Sequence, residues 1–137
     1  MARKRKTRIL LVEDDFYILD IYQTKLNQEG YKVLIAEDGE EALKTIKKEL
    51  KLGETIDLIL LDISMPHMNG LEFIKKIKNV KGVENTPFMV LTNLVKQSLL
   101  DEFFALGAID YLVKADHTPR QITAKVKNHL EKLATKK

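Results

Sequence analysis

The sequence of 137 residues contains no cysteine, which excludes a disulfide framework and a thiolate metal site. Long apolar runs are also missing, since none approaches the roughly 20 residues that span a bilayer. The basic start is followed by only four apolar residues, 9–12, before acids begin, too few for a signal peptide. We therefore expect a cytoplasmic protein without a membrane span. A phosphate loop of the Gly-Lys-Ser/Thr type is absent too, so nucleotide hydrolysis is not expected.

Charge is unevenly distributed in a composition that is otherwise typical of one folded domain, with 45% hydrophobic and 31% charged residues. Removing the five positive residues within the first eight positions from the net charge of +3 leaves −2. Such a segment can contact nucleic acid or a membrane, but no DNA-reading module follows, so we favour a solvated tail. We predict a disordered basic arm over residues 1–7, one domain over 8–134 and no output domain.

Short apolar segments alternate with longer amphipathic ones, a rhythm typical of parallel strands joined by helices. The segments 8–12, 32–36, 57–61, 88–91 and 111–113 are predicted to be strands. Helical patterns cover 16–28, 39–51, 70–79, 96–106 and 118–134. The first and third strands are almost wholly apolar, which indicates a sheet covered on both faces. We predict an α/β fold, a doubly wound five-stranded parallel sheet with helices on both faces.

Polar residues follow four of the five predicted strands: Glu13-Asp14-Asp15, Asp62, Thr92 and Lys114. Because the carboxyl ends of parallel strands meet at one edge of the sheet, we expect these side chains to converge. Asp14, Asp15 and Asp62 would repel one another unless a hard cation such as Mg²⁺ neutralised them. Lys114 and Thr92 could then bind phosphoryl oxygens. A single acid at a strand end is more often a helix N-cap, so the prediction depends on the ordered set.

Four segments resemble the receiver domains of two-component response regulators, the CheY-like family. They are residues 9–15 (ILLVEDD), 60–70 (LLDISMPHMNG), 91–92 (LT) and 107–114 (GAIDYLVK). The resemblance covers about residues 8–133 and implies a stand-alone, flavodoxin-like receiver with strand order 2-1-3-4-5. It also implies a phosphoacceptor protein rather than an enzyme, one that catalyses only its own phosphorylation and dephosphorylation.

The resemblance implies a role for each acid. Asp62 would be the phosphoacceptor nucleophile in a reaction that depends on Mg²⁺ or Mn²⁺. Asp15 would bind the cation directly, Asp14 mainly through water, and the backbone carbonyl of Ser64 would complete the protein ligands. The implied partners are a sensor histidine kinase or histidine phosphotransfer protein as donor, and a downstream protein target.

The resemblance further implies that Thr92 and Lys114 bind phosphoryl oxygens and that Tyr111 is the switch aromatic. An inward movement of Thr92 would vacate space for the Tyr111 ring; an ordinary half-buried aromatic is the alternative for Tyr111. Two positions depart from the family pattern. Ala115 stands where the family usually has proline, often after a cis bond. Asn93 stands where a small residue usually follows the threonine, which should slow phosphorylation by small donors.

The first predicted helix carries more apolar side chains than one core-facing stripe requires. The predicted stripe contains Phe16, Leu19, Tyr22 and Leu26, which leaves Tyr17, Ile18 and Ile21. Core packing on both faces would explain the surplus. The alternative is that Ile18 and Ile21 dock a histidine-bearing helix of the phosphodonor.

Two functions from different classes remain open from the sequence. The first is a phosphorylation-driven switch that is read through protein contacts. The second is a non-phosphorylated scaffold with a receiver fold; the sequence is also compatible with a receiver excised from a longer regulator. The presence of the acids, the threonine and the lysine together favours the first, because a scaffold needs none of them.

Overall fold

Strands and helices alternate along the chain as the sequence predicts. The computed structural model describes residues 5–63, 68–93 and 96–135. The strands are β1 (Arg8–Val12), β2 (Lys32–Ala36), β3 (Leu58–Asp62), β4 (Phe88–Thr92) and β5 (Ala108–Val113). The helices are α1 (Phe16–Gln28), α2 (Gly39–Lys51), α3 (Gly70–Ile77), α4 (Gln97–Ala105) and α5 (Pro119–Thr135), with a 3₁₀ turn at Lys114–Asp116.

The five strands form one parallel sheet in the order β2-β1-β3-β4-β5, which confirms the predicted doubly wound, flavodoxin-like topology. Every residue of β3 and β4 is buried, because helices cover both faces of the sheet. From β1 the chain crosses to β2 on one side and later to β3 on the other, so the topological switch point lies between β1 and β3. The crevice that binds ligands in such sheets lies at this point, beyond the carboxyl ends of the strands.

Alternate side chains of the central strands supply two separate layers of core. One layer packs against α2, α3 and α4 and includes Leu10, Ile46, Phe73, Phe88 and Phe103. The other packs against α1 and α5 and includes Ile9, Leu11, Leu26, Leu60 and Val126. The two layers fix both faces of β1, β3 and β4, so the polar residues at their carboxyl ends are held on a rigid frame.

Three strands differ in their boundaries from the sequence prediction: β3, β4, which ends at Thr92 rather than at residue 91, and β5. β3 extends to Asp62, which pairs with Leu91 of β4, while Asp57 stays outside the strand and accepts a hydrogen bond from the Arg8 amide (2.8 Å). β5 begins at Ala108 rather than at residue 111, because a register irregularity lets Phe88 pair with Ala108 and Met89 with Asp110. Asp110 interrupts the apolar pattern of this segment, so the pattern alone predicts a strand that is too short.

Two glycines allow helices to approach the β3–α3 connection closely. A Cβ on Gly70 would lie 2.9 Å from the Ile63 Cα and 3.1 Å from the Asp62 carbonyl oxygen. A Cβ on Gly39, at the start of α2, would lie 2.8 Å from the Met68 carbonyl oxygen. Real Cβ atoms essentially never approach other heavy atoms within 3.0 Å, so glycine at both positions lets α2 and α3 pack closely against the β3–α3 connection.

The described part of the predicted basic arm contacts the domain. Arg5 donates a hydrogen bond to the Thr55 hydroxyl (2.8 Å), and the Thr7 carbonyl accepts one from the Lys32 amide (2.9 Å). Residues 1–4 lie outside the described residues. None of the helices described here is long and apolar enough to cross a membrane.

Candidate functional site

One hollow at the carboxyl edge of the sheet gathers the polar residues that follow the strands. Its volume is about 420 Å³, within the range of small-ligand pockets. The lining residues are Glu13, Asp14, Asp15, Ile18, Asp62, Thr92, Asn93 and Lys114. The convergence predicted from the sequence for Asp14, Asp15, Asp62, Thr92 and Lys114 is therefore present in the structure.

Lys114 brings a positive charge to this hollow. Its ammonium group forms a short ion pair with the Glu13 carboxylate and lies 3.2 Å from the Asp62 Oδ2 atom. Burial disfavours the charged lysine, but the hydrogen bond to Glu13 and the attraction of Asp62 outweigh burial and raise the pKa of Lys114 above its usual value. Lys114 is therefore cationic at any physiological pH.

Glu13 is the most buried acid of the site, with only 2% of the residue exposed. Burial is the main cause that raises its pKa, from the ordinary 4.5 to about 7; the charge of Asp62 adds to this effect, and the hydrogen bond from Lys114 opposes it. A cation placed beside Glu13 would stabilise the ionised carboxylate in the same way as Lys114 does.

Three acids stand close enough to share one cation. One carboxylate oxygen from each of Glu13, Asp14 and Asp62 lies within 4.8 Å of the others. All three ligands are oxygens, which is the donor set that Mg²⁺ prefers, so these side chains fit the predicted metal. Ser64, whose backbone carbonyl was predicted to complete the site, lies outside the described residues.

The group of three acids differs by one residue from the predicted set of Asp14, Asp15 and Asp62: it contains Glu13 in place of Asp15. Asp15 lines the hollow, but its carboxylate accepts hydrogen bonds from the amides of Tyr17 (2.9 Å) and Ile18 (3.3 Å) and thereby caps α1. Glu13 takes the place predicted for Asp15. The Glu13 amide donates a hydrogen bond to the Ala36 carbonyl (3.0 Å). The pairing of β1 with β2 therefore continues by one residue, and Glu13 lies in the hollow. Both capping hydrogen bonds go to Asp15 Oδ1, and direct ligation of the cation by Asp15 stays a prediction.

The loops that follow β4 and β5 meet beside Lys114. Thr92 is almost fully buried at the end of β4, and the side-chain oxygen of the next residue, Asn93, accepts a hydrogen bond from the Ala115 amide (2.8 Å). Within the described ranges no peptide bond is cis, so Lys114–Ala115 is trans. Both departures from the family pattern, Asn93 and Ala115, therefore take part in one contact.

Tyr111, the predicted switch aromatic, is half-buried on β5. Its ring meets Phe104 of α4 edge to face, with ring centroids 5.9 Å apart, and it packs against the core layer below α4. This environment agrees with either interpretation of Tyr111, a switch or an ordinary edge aromatic, so the switch role stays a prediction.

The apolar surface of α1 differs from the predicted one in its members. Leu19, Tyr22 and Leu26 are buried as expected. Phe16 was predicted to face the core, yet it is 71% exposed, because it is the first residue of α1 and projects beyond the layer that covers the sheet. Ile18 is half-buried and packs against the core. The exposed apolar patch therefore consists of Phe16, Tyr17 and Ile21.

Comparison with known proteins agrees with this geometry. A family model described as response regulator receiver domain matches residues 9–127. The response regulator SaeR of Staphylococcus aureus is 35% identical over 127 residues, covering 93% of this chain and 52% of SaeR. The chain thus spans about half the length of the curated relatives it matches.

Solved structures of similar proteins share the fold over nearly the whole chain. A CheY-like receiver domain protein from Methanospirillum hungatei JF-1 has a TM-score of 0.83 and 29% identity, covering 97% of this chain and 100% of that one. The chemotaxis protein CheY4 of Vibrio cholerae has a TM-score of 0.80 and 30% identity, with 90% and 98% covered.

Proposed function

Because the chain belongs to the response regulator receiver domain family, we propose that it is a phosphorylation-driven switch in which Asp62 accepts a phosphoryl group from a histidine phosphodonor. The observation that supports this proposal is the position of the Asp62 carboxylate, 3.2 Å from the Lys114 ammonium and grouped with Glu13 and Asp14. The proposed nucleophile, a cation that would offset the phosphoryl charge and the oxygens that would ligate the metal thus share one hollow.

In the proposed reaction an Asp62 oxygen forms a bond to phosphorus while the phosphorus–nitrogen bond of the donor phosphohistidine breaks. The leaving imidazole keeps the electron pair of that bond and takes up a proton, and Asp62 becomes an acyl phosphate that water later hydrolyses to phosphate. Lys114 offsets the charge that develops on the phosphoryl oxygens. We propose that Thr92, buried at the end of β4, donates a hydrogen bond to one of them.

Glu13, Asp14 and Asp62 would hold the divalent cation. When bound, Mg²⁺ would offset the negative charge of these acids and of the phosphoryl oxygens. We favour Mg²⁺ or Mn²⁺ because the donor set holds only oxygens. Asp14 is exposed at the rim, which leaves space for the metal waters that such sites usually keep.

Phosphorylation would change the charge balance around Lys114. The acyl phosphate adds close to two negative charges, which compete with Glu13 for the Lys114 ammonium. Movement of Thr92 toward the phosphoryl group would transmit the change to Tyr111 and the surface of α4 and β5. We propose that a downstream protein reads this surface, that the chain catalyses only its own phosphorylation and dephosphorylation, and that it acts in the cytoplasm, where a sensor kinase or phosphotransfer protein can reach it.

The direct test is treatment with acetyl phosphate and Mg²⁺, followed by intact mass measurement. We expect the mass of one phosphoryl group to be added to the wild type, and none to Asp62→Asn or to wild type in excess chelator. Beryllofluoride titration followed by amide NMR should show the same dependence on Asp62. A phosphoryl group that persists in Asp62→Asn would refute the assignment of the acceptor.

Docking of the phosphodonor on α1 is tested by separating transfer between proteins from labelling by a small donor. Replacing Ile21 by serine should slow transfer from the histidine donor and leave acetyl phosphate labelling unchanged. Leu52, 65% exposed at the far end of α2, provides the matched control, since Leu52→Ser also removes an exposed leucine-sized side chain. Equal slowing of both donors by Ile21→Ser would contradict docking on this patch.

A further inference from the structure

A side-chain hydrogen bond joins the loops that follow β4 and β5. The Asn93 Oδ1 atom accepts from the Ala115 amide at 2.8 Å, across 22 residues of sequence. Each of the two residues directly follows a residue of the proposed phosphoryl site, Thr92 in one case and Lys114 in the other. The hydrogen bond therefore connects the backbone next to Thr92 with the backbone next to Lys114.

We propose that Asn93 is a positioning residue that fixes the Lys114–Ala115 peptide relative to Thr92 and so makes the two loops move as one unit. The inference rests on the proposed function for its consequence, but the link itself is a property of the protein before any phosphorylation. The peptide unit that carries the Ala115 amide also contains the Lys114 Cα and carbonyl, and it is planar. Holding that amide therefore fixes the point from which the Lys114 side chain starts.

Neighbouring contacts restrain this peptide on both sides. Thr92 pairs with Val113 in the ladder between β4 and β5, which fixes the chain just before Lys114. The Lys114 carbonyl accepts from the His117 amide (3.4 Å), which closes the 3₁₀ turn just after it. The Ala115 amide, which is the other polar group of this peptide, donates its hydrogen bond to Asn93 in the loop after β4.

The link requires both residue types. Proline at position 115 would have no amide to donate, and alanine or glycine at position 93 would have no acceptor. The two departures from the family pattern are therefore chemically connected: the large polar residue after Thr92 is matched to the non-proline residue after Lys114. The bulk of Asn93 at the rim of the hollow is a separate property, and a test has to distinguish it from the hydrogen bond.

Amide hydrogen exchange in the metal-free protein tests the link directly. Asn93→Leu keeps the bulk and removes the acceptor, so exchange of the Ala115 amide should accelerate by about fivefold, the factor expected for one net hydrogen bond. Asn93→Asp keeps the acceptor and should restore slow exchange. Unchanged exchange in Asn93→Leu would overturn the proposal, whether or not the protein is phosphorylated.

A double-mutant cycle tests the positioning of Lys114. Asn93→Leu and Ala115→Pro should each shift the NMR signal of the Lys114 ammonium and weaken beryllofluoride binding, and the double variant should be no worse than either single one, because all three lack the same bond. Ala115→Ser keeps the amide and is the matched control. Additive effects, or an unmoved Lys114 signal, would refute the positioning role. Failure of the wild type to bind beryllofluoride would instead contradict the proposed function, and the Lys114 signal would still decide this inference.

Discussion

Replacement of Glu13 by glutamine should make the metal-free protein more stable at neutral pH. Glu13 is 2% exposed and its pKa is raised from 4.5 to about 7 mainly by burial. Between these two values the folded protein keeps a proton that the unfolded chain has released. The unfolded state then binds fewer protons, so the free energy of unfolding falls as the pH rises through this window.

The magnitude follows from the size of the shift. A change in the pKa of Glu13 from 4.5 to about 7 corresponds to about 3 kcal/mol in the free energy of unfolding. The wild type loses most of this stability between about pH 5 and about pH 8. Lys114 itself does not titrate in this window, because its pKa is raised above its ordinary 10.5 and it stays charged in both proteins between about pH 5 and about pH 8. Glutamine at position 13 does not titrate, so subtracting one protein from the other isolates Glu13.

Urea unfolding of the wild type and Glu13→Gln in the presence of chelator measures this difference. The two proteins should be nearly equally stable at about pH 5, and the variant should be more stable by about 2–3 kcal/mol at about pH 8. A difference that does not change with pH would refute the reasoning, because it would mean that Glu13 titrates alike in both states.

Addition of Mg²⁺ extends the same experiment to the metal site. A bound cation favours ionised Glu13, so saturating Mg²⁺ should stabilise the wild type most at high pH and flatten its pH dependence. Glu13→Gln should bind Mg²⁺ more weakly than the wild type. Asp15→Asn is the matched control, since it also removes one negative charge from the hollow while asparagine keeps the N-cap. Equal weakening by both variants would contradict the assignment of Glu13, rather than Asp15, to the metal.

Three further substitutions test the frame of the site. Asp15→Ala should destabilise the protein by about 1 kcal/mol in urea unfolding, because it removes the acceptor that caps α1, whereas Asp15→Asn should cost little. Gly70→Ala should cost about 1–3 kcal/mol and slow acetyl phosphate labelling, since its Cβ would press on the backbone of Ile63 and Asp62; wild-type stability would show that the connection can relax. Lys114→Met should lose more stability at about pH 8 than at about pH 5, because it leaves the buried Glu13 carboxylate without its cation; an equal loss at both pH values would contradict this account.

The sheet could be predicted because its signals are local. The unbroken apolar segments of β1 and β3 indicate strands buried on both faces, and their alternation with amphipathic segments indicates the doubly wound order. The signals weaken where burial is partial. Asp110 interrupts the apolar pattern of β5, and its inclusion depends on the irregular pairing with Met89 of β4. Phe16 fits a core stripe by periodicity, but its exposure follows from its position as the first residue of α1, and periodicity does not define where a helix begins.

The site could be predicted as a set but not in every member, and the reason lies in the short acidic segment after β1. With α1 predicted to begin at residue 16, the residue before it is the natural N-cap, and this local rule already assigns Asp15 to the helix. What the sequence does not contain is the environment of Glu13. Its burial comes from the extended pairing with β2, and its partner Lys114 stands 101 residues away in sequence. The chemical character of Glu13, a carboxylate with a raised pKa that a cation would stabilise, therefore arises only when β1 and β5 are brought to the same edge of the sheet.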